Sequence, residues 1–173
     1  MKTFGLYVLC GFFLVAGVRS KATELTLDSR DFVPTDTPSQ WAESSGGSLI
    51  CTGGVGVFAA QLDLPANSTL TQIAVWGGDS STSRDSSVFL RRVCQAEFLA
   101  TSPTFSNLAQ VGSSGSAGAY FDSAVLNEQA FSTNTCTYSV VLSFGDSPCS
   151  TNLSVAKVRV RYTNDAIFAH GFE

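Results

Sequence analysis

One stretch constrains the fold more than any other: KVRVRY, residues 157–162. Its apolar members Val158, Val160 and Tyr162 alternate with the cations Lys157, Arg159 and Arg161. Side chains along a strand point to opposite faces in turn, so this period of two reads as a strand with one buried and one wet face. The same period recurs upstream. GVFAAQLDLP (56–65) puts Phe58, Ala60, Leu62 and Leu64 on one face. In LTQIAVWGG (70–78), Ile73 and Val75 oppose Ala74 and Trp76. SVFLRRVC (87–94) sets Val88, Leu90 and Arg92 against Phe89, Arg91 and Val93. TYSVVLSF (137–144) aligns Tyr138, Val140, Leu142 and Phe144. Turn residues separate the runs, and no long segment carries helical spacing. The chain therefore reads as all-β: a single antiparallel β-sandwich, jelly-roll-like, of about eight short strands, with a barrel as the alternative.

The intervening segments are connections. GGDSSTSRDSS (77–87) is polar, and GSSGSAGA (112–119) is too low in complexity to pack a core. GDSP (145–148) predicts a turn between the last two strands. FSNL (105–108) and VLNE (125–128) each have the composition for a short helical turn.

The amino terminus reads as a cleaved signal peptide. Lys2 precedes an apolar stretch over residues 4–18, and small residues at Ser20 and Ala22 offer cleavage points. Arg19 and Lys21 end the stretch before it is long enough to span a bilayer. The predicted organisation is a leader over 1–22, an N-terminal extension or first strand over 23–47, the sandwich over 48–163 and a tail over 164–173. The mature chain is expected outside the cell or on its surface, without membrane insertion.

Cleavage removes Cys10 and leaves Cys51, Cys94, Cys136 and Cys149. Four cysteines in an exported chain predict two disulfides. No two of them are nearer than thirteen residues, which argues against the close pairs that zinc prefers. Three connectivities remain open. Cys136–Cys149 would clip the hairpin around GDSP and leave Cys51–Cys94. Cys94–Cys136 is nearly as plausible, since both residues sit at strand ends.

Charge narrows the partners. The full chain has a net charge of −4. Loss of Lys2, Arg19 and Lys21 leaves seven basic residues against fourteen acids, or about −7. Such a chain is a poor ligand for nucleic acid or an anionic membrane.

Little in the sequence reads as catalysis. His170 is the only histidine and lies three residues from the end, a poor place for the base of a hydrolytic triad. There is no GxSxG elbow. Asp63, Asp79, Asp85, Glu97, Asp122 and Glu128 offer carboxylates for glycosidase chemistry, but nothing marks two of them as sharing a cleft. DSSTSRD (79–85) spaces oxygen ligands like a calcium loop, yet lacks the bidentate glutamate and contains Arg84. The reading assigns no catalytic residue, no cofactor and no metal.

The row Lys157, Arg159, Arg161 is the strongest binding signal. Its members fall about 7 Å apart on one strand face, with Arg91 and Arg92 expected nearby. It suits an acidic glycan or acids on a neighbouring subunit, or simply a solvent face whose charges block edge aggregation. Trp76 is a candidate sugar platform, although core packing is the commoner role for a tryptophan in a half-apolar strand.

Two resemblances add to this. DAIFAHGFE (165–173) resembles the IF-x-x-GFE ending found on many exported gammaproteobacterial proteins, through Ile167, Phe168, Gly171, Phe172 and Glu173. It implies that His170 fills a variable position in an export or sorting tag. Residues 56–163 are similar to uncharacterised bacterial secreted β-sandwich domains, which share segments like LDLPANSTLTQIAVWGGD, SVFLRRV and AKVRVRYT. That implies a jelly-roll-like sandwich at the surface and no particular activity. The expected function is an exported non-catalytic module for surface structure, adhesion or assembly, with itself as a homotrimeric partner by analogy of fold. A carbohydrate-binding module for a surface glycan is the alternative, and a small glycan-active enzyme the third reading.

Overall fold

The computed structural model describes residues 21–35, 39–65, 67–95, 102–115, 118–129, 136–145 and 148–164. Residues 1–20 of the expected leader (1–22), Glu97, and residues 165–173 of the expected tail (164–173) lie outside the described residues. The chain opens with β1 (Lys21–Leu27), a 3-10 turn (Ser29–Asp31), β2 (Val33–Pro34) and β3 (Gln40–Glu43). There follow β4 (Leu49–Gly53), β5 (Val57–Leu62), β6 (Ser68–Asp79) and β7 (Ser87–Cys94). The last four are β8 (Thr104–Gly112), β9 (Gly118–Gln129), β10 (Cys136–Ser143) and β11 (Leu153–Asn164).

All strand pairings are antiparallel. One sheet runs β3-β4-β11-β6-β9, and the other β2-β5-β10-β7-β8. The eight strands from β4 onward are distributed between the sheets in the order that defines a jelly roll. The N-terminal strands extend it: β1 and β4 share one edge of β11, while β2 borders β5.

The alternating positions build the core. Phe58, Ala60 and Leu62 of β5 are buried, as are Tyr138, Val140, Leu142 and Phe144 in and just after β10, and Val158 and Val160 of β11. Leu49, Leu70, Ile73, Val75, Val88 and Leu90 complete the layer between the sheets. Phe58 meets Phe144 edge-on at 5.8 Å between ring centroids. Each such side chain contributes about 1.5–3 kcal/mol when fully buried.

Polar contacts link the sheets at both ends. At one end the Tyr120 and Ser86 hydroxyls lie 2.6 Å apart, and the Gly112 amide donates to Asp122 Oδ2 at 2.9 Å. Tyr120 lies over Gly77, where a Cβ would come within 2.6 Å of its ring and 2.3 Å of the Ser154 carbonyl. At the other end Arg92 of β7 pairs with Glu128 of β9.

Several expectations change. FSNL and VLNE form strand, within β8 and β9. Leu108 is the extra residue of a bulge against β7, which breaks the alternation in the first segment. In β9 the half-buried phase includes Asp122 and Glu128, which hides it in the second. Strands β10 and β11 do not pair, so the GDSP connection crosses between sheets instead of closing a hairpin; residues 146 and 147 of it lie outside the described residues.

The favoured disulfide pairing is also replaced. The bridges are Cys51–Cys149 and Cys94–Cys136. Cys136 starts β10 and Cys149 follows its far end. An eight-residue strand spans about 26 Å, far beyond disulfide reach. Cys94 instead faces Cys136 across the β7–β10 ladder. Cys51 and Cys149 close the opposite end of the sandwich, packed against Gly56 at φ +72°.

Candidate functional site

The outward phase of the larger sheet carries the candidate site. In β6, Ile73 and Val75 point into the core, which sends Trp76 outward. The expectation that Trp76 packs in the core is therefore corrected. In β9, Tyr120 turns inward to Ser86, which leaves its neighbour Phe121 outward and 56% exposed. In β11 a bulge at Ala156 shifts the phase, so that Lys157 faces out after inward Val155 and before inward Val158.

These strands align in cross-strand rows. Lys157, Trp76 and Phe121 form the first row. Arg159, Ala74 and Ser123 form the second, and Arg161, Gln72 and Val125 the third. Strand β1 adds Thr26 beside Arg159 and Glu24 beside Arg161. Rows lie about 7 Å apart and strands about 4.8 Å apart, so the patch covers roughly 14 Å in each direction.

The side chains are in contact. Trp76 and Phe121 rings pack at 4.8 Å between centroids, tilted by 46°. Lys157 Nζ sits 4.5 Å from the Trp76 centroid, and Arg159 Cζ 5.0 Å from it. Both are cation–π distances. Arg161 donates from Nε to Glu24 Oε1 at 2.6 Å and from Nη1 to Gln72 Oε1 at 3.1 Å. Arg159 Nε lies 3.3 Å from Glu24 Oε2, yet this buried atom makes no aligned hydrogen bond. Glu24 thus serves two arginines, and Lys157 has no carboxylate partner among the described residues. Three cations against one acid leave this face at about +2 on a chain of net charge −4.

Sequence reasoning found four of these residues and missed two. Lys157, Arg159, Arg161 and Trp76 are brought together. Arg91, expected beside them, is not: it lies on β7 of the opposite sheet, with Arg92. There Arg91 stands over Phe105 at 5.7 Å and donates to Asn107 Oδ1 at 3.2 Å. Phe121 and Glu24 were the residues missed. The Tyr120-Phe121 dipeptide held a usable signal, because consecutive strand residues must face opposite ways. Glu24 had none, being 137 residues from Arg161.

The candidate acids mostly have structural partners. Asp79 is buried and accepts from the Ser81 amide, Asp85 from Gly115, and Asp122 from Gly112, while Glu128 pairs with Arg92. Among the described residues no cluster of three or more His, Cys, Asp or Glu stands ready for a metal, and no helix is long and apolar enough to cross a membrane.

No protein-family model matches the chain, and no curated protein matches it in sequence. Solved structures with a similar course include a family 6 carbohydrate-binding module, at 12% identity and a TM-score of 0.46, over 78% of this chain and 90% of that one. The CBM22-2 xylan-binding domain from Paenibacillus barcinonensis Xyn10C aligns at 12% identity and a TM-score of 0.49, over 81% and 96%. An exo-beta-1,3-galactanase from Phanerochaete chrysosporium aligns at 13% identity and a TM-score of 0.43, over 80% of this chain and 29% of the enzyme. At these values no ligand or residue role carries over to this chain.

Proposed function

We propose that the protein is an exported carbohydrate-binding module that holds a glycan on the outer face of its larger sheet. The observation that carries this reading is Phe121, an exposed ring packed at a tilt against Trp76 and bordered by polar and charged side chains. Sugar rings present an apolar face bordered by hydroxyls. An aromatic floor covers the first, while neighbouring Ser123, Gln72 and Lys157 meet the second. Export is supported by the pairing of all four cysteines that follow the leader, the pattern of an oxidising compartment.

The same face bears on the assembly reading. In a homotrimer a different face of the neighbouring subunit would meet this one, and it would have to supply acids against the +2 charge. A glycan needs no such compensation.

Affinity electrophoresis against a panel of soluble neutral and acidic polysaccharides tests the proposal. Retarded migration in at least one gel, with a monomer in light scattering, is the expected outcome. Unretarded migration throughout, or a trimer whose contact buries Phe121, would refute it.

A further inference from the structure

We infer that the glycan held on this face is acidic, and that Lys157 and Arg159 take a uronic acid carboxylate above Trp76; this rests on the glycan-binding reading. The charge distribution points there. Both cations stand over one indole, at 4.5 and 5.0 Å. Like charges so close repel, and one anion settling between them relieves both. The indole draws the cations to its face but supplies no hydrogen-bond acceptor there. Glu24 does not fill the place: its two oxygens turn toward Arg161 and Arg159 Nε, while Lys157 is left over.

Position favours a sugar acid over a free anion. Lys157 shares the row of Phe121, two strands away, and Arg159 lies one row on, on a face four strands wide. A carboxylate between Lys157 and Arg159 places the rest of the chain over Trp76 and Phe121, where it gains contact area that a small ion lacks. A guanidinium fork matches a planar carboxylate with two donors. The overall acidity of the protein disfavours polyanions on its surface as a whole, so a local excess of cations is needed to hold one.

The test measures affinities for polygalacturonate and alginate, each beside its carboxyl-reduced neutral counterpart, and for dextran sulfate. Tight binding of at least one polyuronate, with its reduced form weaker by about tenfold or more, is expected. Lys157→Gln should weaken the polyuronate by about tenfold and the reduced form by much less, since a neutral sugar loses only a hydrogen bond that glutamine can replace. Lys157 has no ion pair to lose among the described residues, only its cation–π contact with the Trp76 ring, so K157Q should leave the fold intact. Glu24→Gln should strengthen the polyuronate, since a negative charge beside the two arginines is removed. Equal affinity for a polyuronate and its reduced form would overturn the acidic assignment and leave glycan binding standing. Dextran sulfate bound as tightly as a polyuronate would overturn the carboxylate assignment. Binding to none of these polymers, nor to any neutral polysaccharide, would overturn both readings.

Discussion

Phe121→Ala is the substitution that separates binding from folding most cleanly. The ring is 56% exposed. An aromatic side chain presents about 200 Å² in all, so about 110 Å² of Phe121 faces solvent. A sugar covers one side of a ring, or about half of that area. At about 25 cal/mol per Å², the covered part contributes about 1.4 kcal/mol, which is tenfold in affinity. Folding should change less. The ring leaves no cavity in the core, and its loss forfeits only the contact with Trp76, about 0.5–1.5 kcal/mol. Isothermal titration with the polysaccharide that wild type binds gives the first number, and urea unfolding the second. A Kd within twofold of wild type would refute the platform. So would a stability loss above about 3 kcal/mol, because Phe121 would then be a structural residue.

Three other outcomes follow from the packing. Replacing Cys51 and Cys149 together by alanine should cost about 4.7 kcal/mol in urea unfolding, and Cys94 with Cys136 about 4, from loops of 98 and 42 residues in the chain-entropy model; losses below 1 kcal/mol would contradict these bridges. Gly77→Ala should lower stability by about 3 kcal/mol, because the new methyl meets the Ser154 carbonyl and the Tyr120 ring together; a midpoint equal to wild type would show that the strands yield freely. Burial raises the Tyr120 hydroxyl above its ordinary 10.0, the Ser86 hydrogen bond opposing this only in part. Above pH 10 the unfolded chain then releases a proton that the folded one keeps, so wild-type stability falls with pH in that range. Tyr120→Phe should flatten that fall while costing about 1 kcal/mol at pH 7 for the lost hydrogen bond, and an unchanged slope would contradict the shift.

The fold was legible where the period of two ran unbroken. Val158 and Val160, or Tyr138 through Phe144, declare their inward phase without any knowledge of neighbours. The same logic already placed Trp76 outward, since Ile73 and Val75 were inward; the general tendency of tryptophan to be buried obscured it. What the sequence could not reveal depended on neighbours brought in by topology. A disulfide needs to know which end of the sandwich each cysteine reaches, and GDSP looked like a hairpin turn although it carries the chain from one sheet to the other. Arg91 and Arg92 share a strand with each other but not a sheet with Lys157. The bulges at Ala156, Thr71 and Leu108 insert single residues that alternation alone reads as noise.

The bulge at Ala156 connects fold to site. On β11 the buried positions run Leu153, Val155, then Val158, Val160, with two successive non-core residues between them. Regular alternation through Ala156, with no bulge, would carry Lys157, Arg159 and Arg161 inward and expose Val158 and Val160. Three buried cations with one carboxylate would cost far more than the sandwich can supply. The inserted residue keeps a continuous core under the whole strand and also sets Lys157 level with Trp76 and Phe121. The phase that satisfies the hydrophobic layer is therefore the phase that assembles the outer row. Each strand gives the face one side chain per row while its neighbours anchor the interior. Residues there are free of the core's constraints, so an aromatic pair and an uncompensated charge can sit together on a surface where folding alone requires neither.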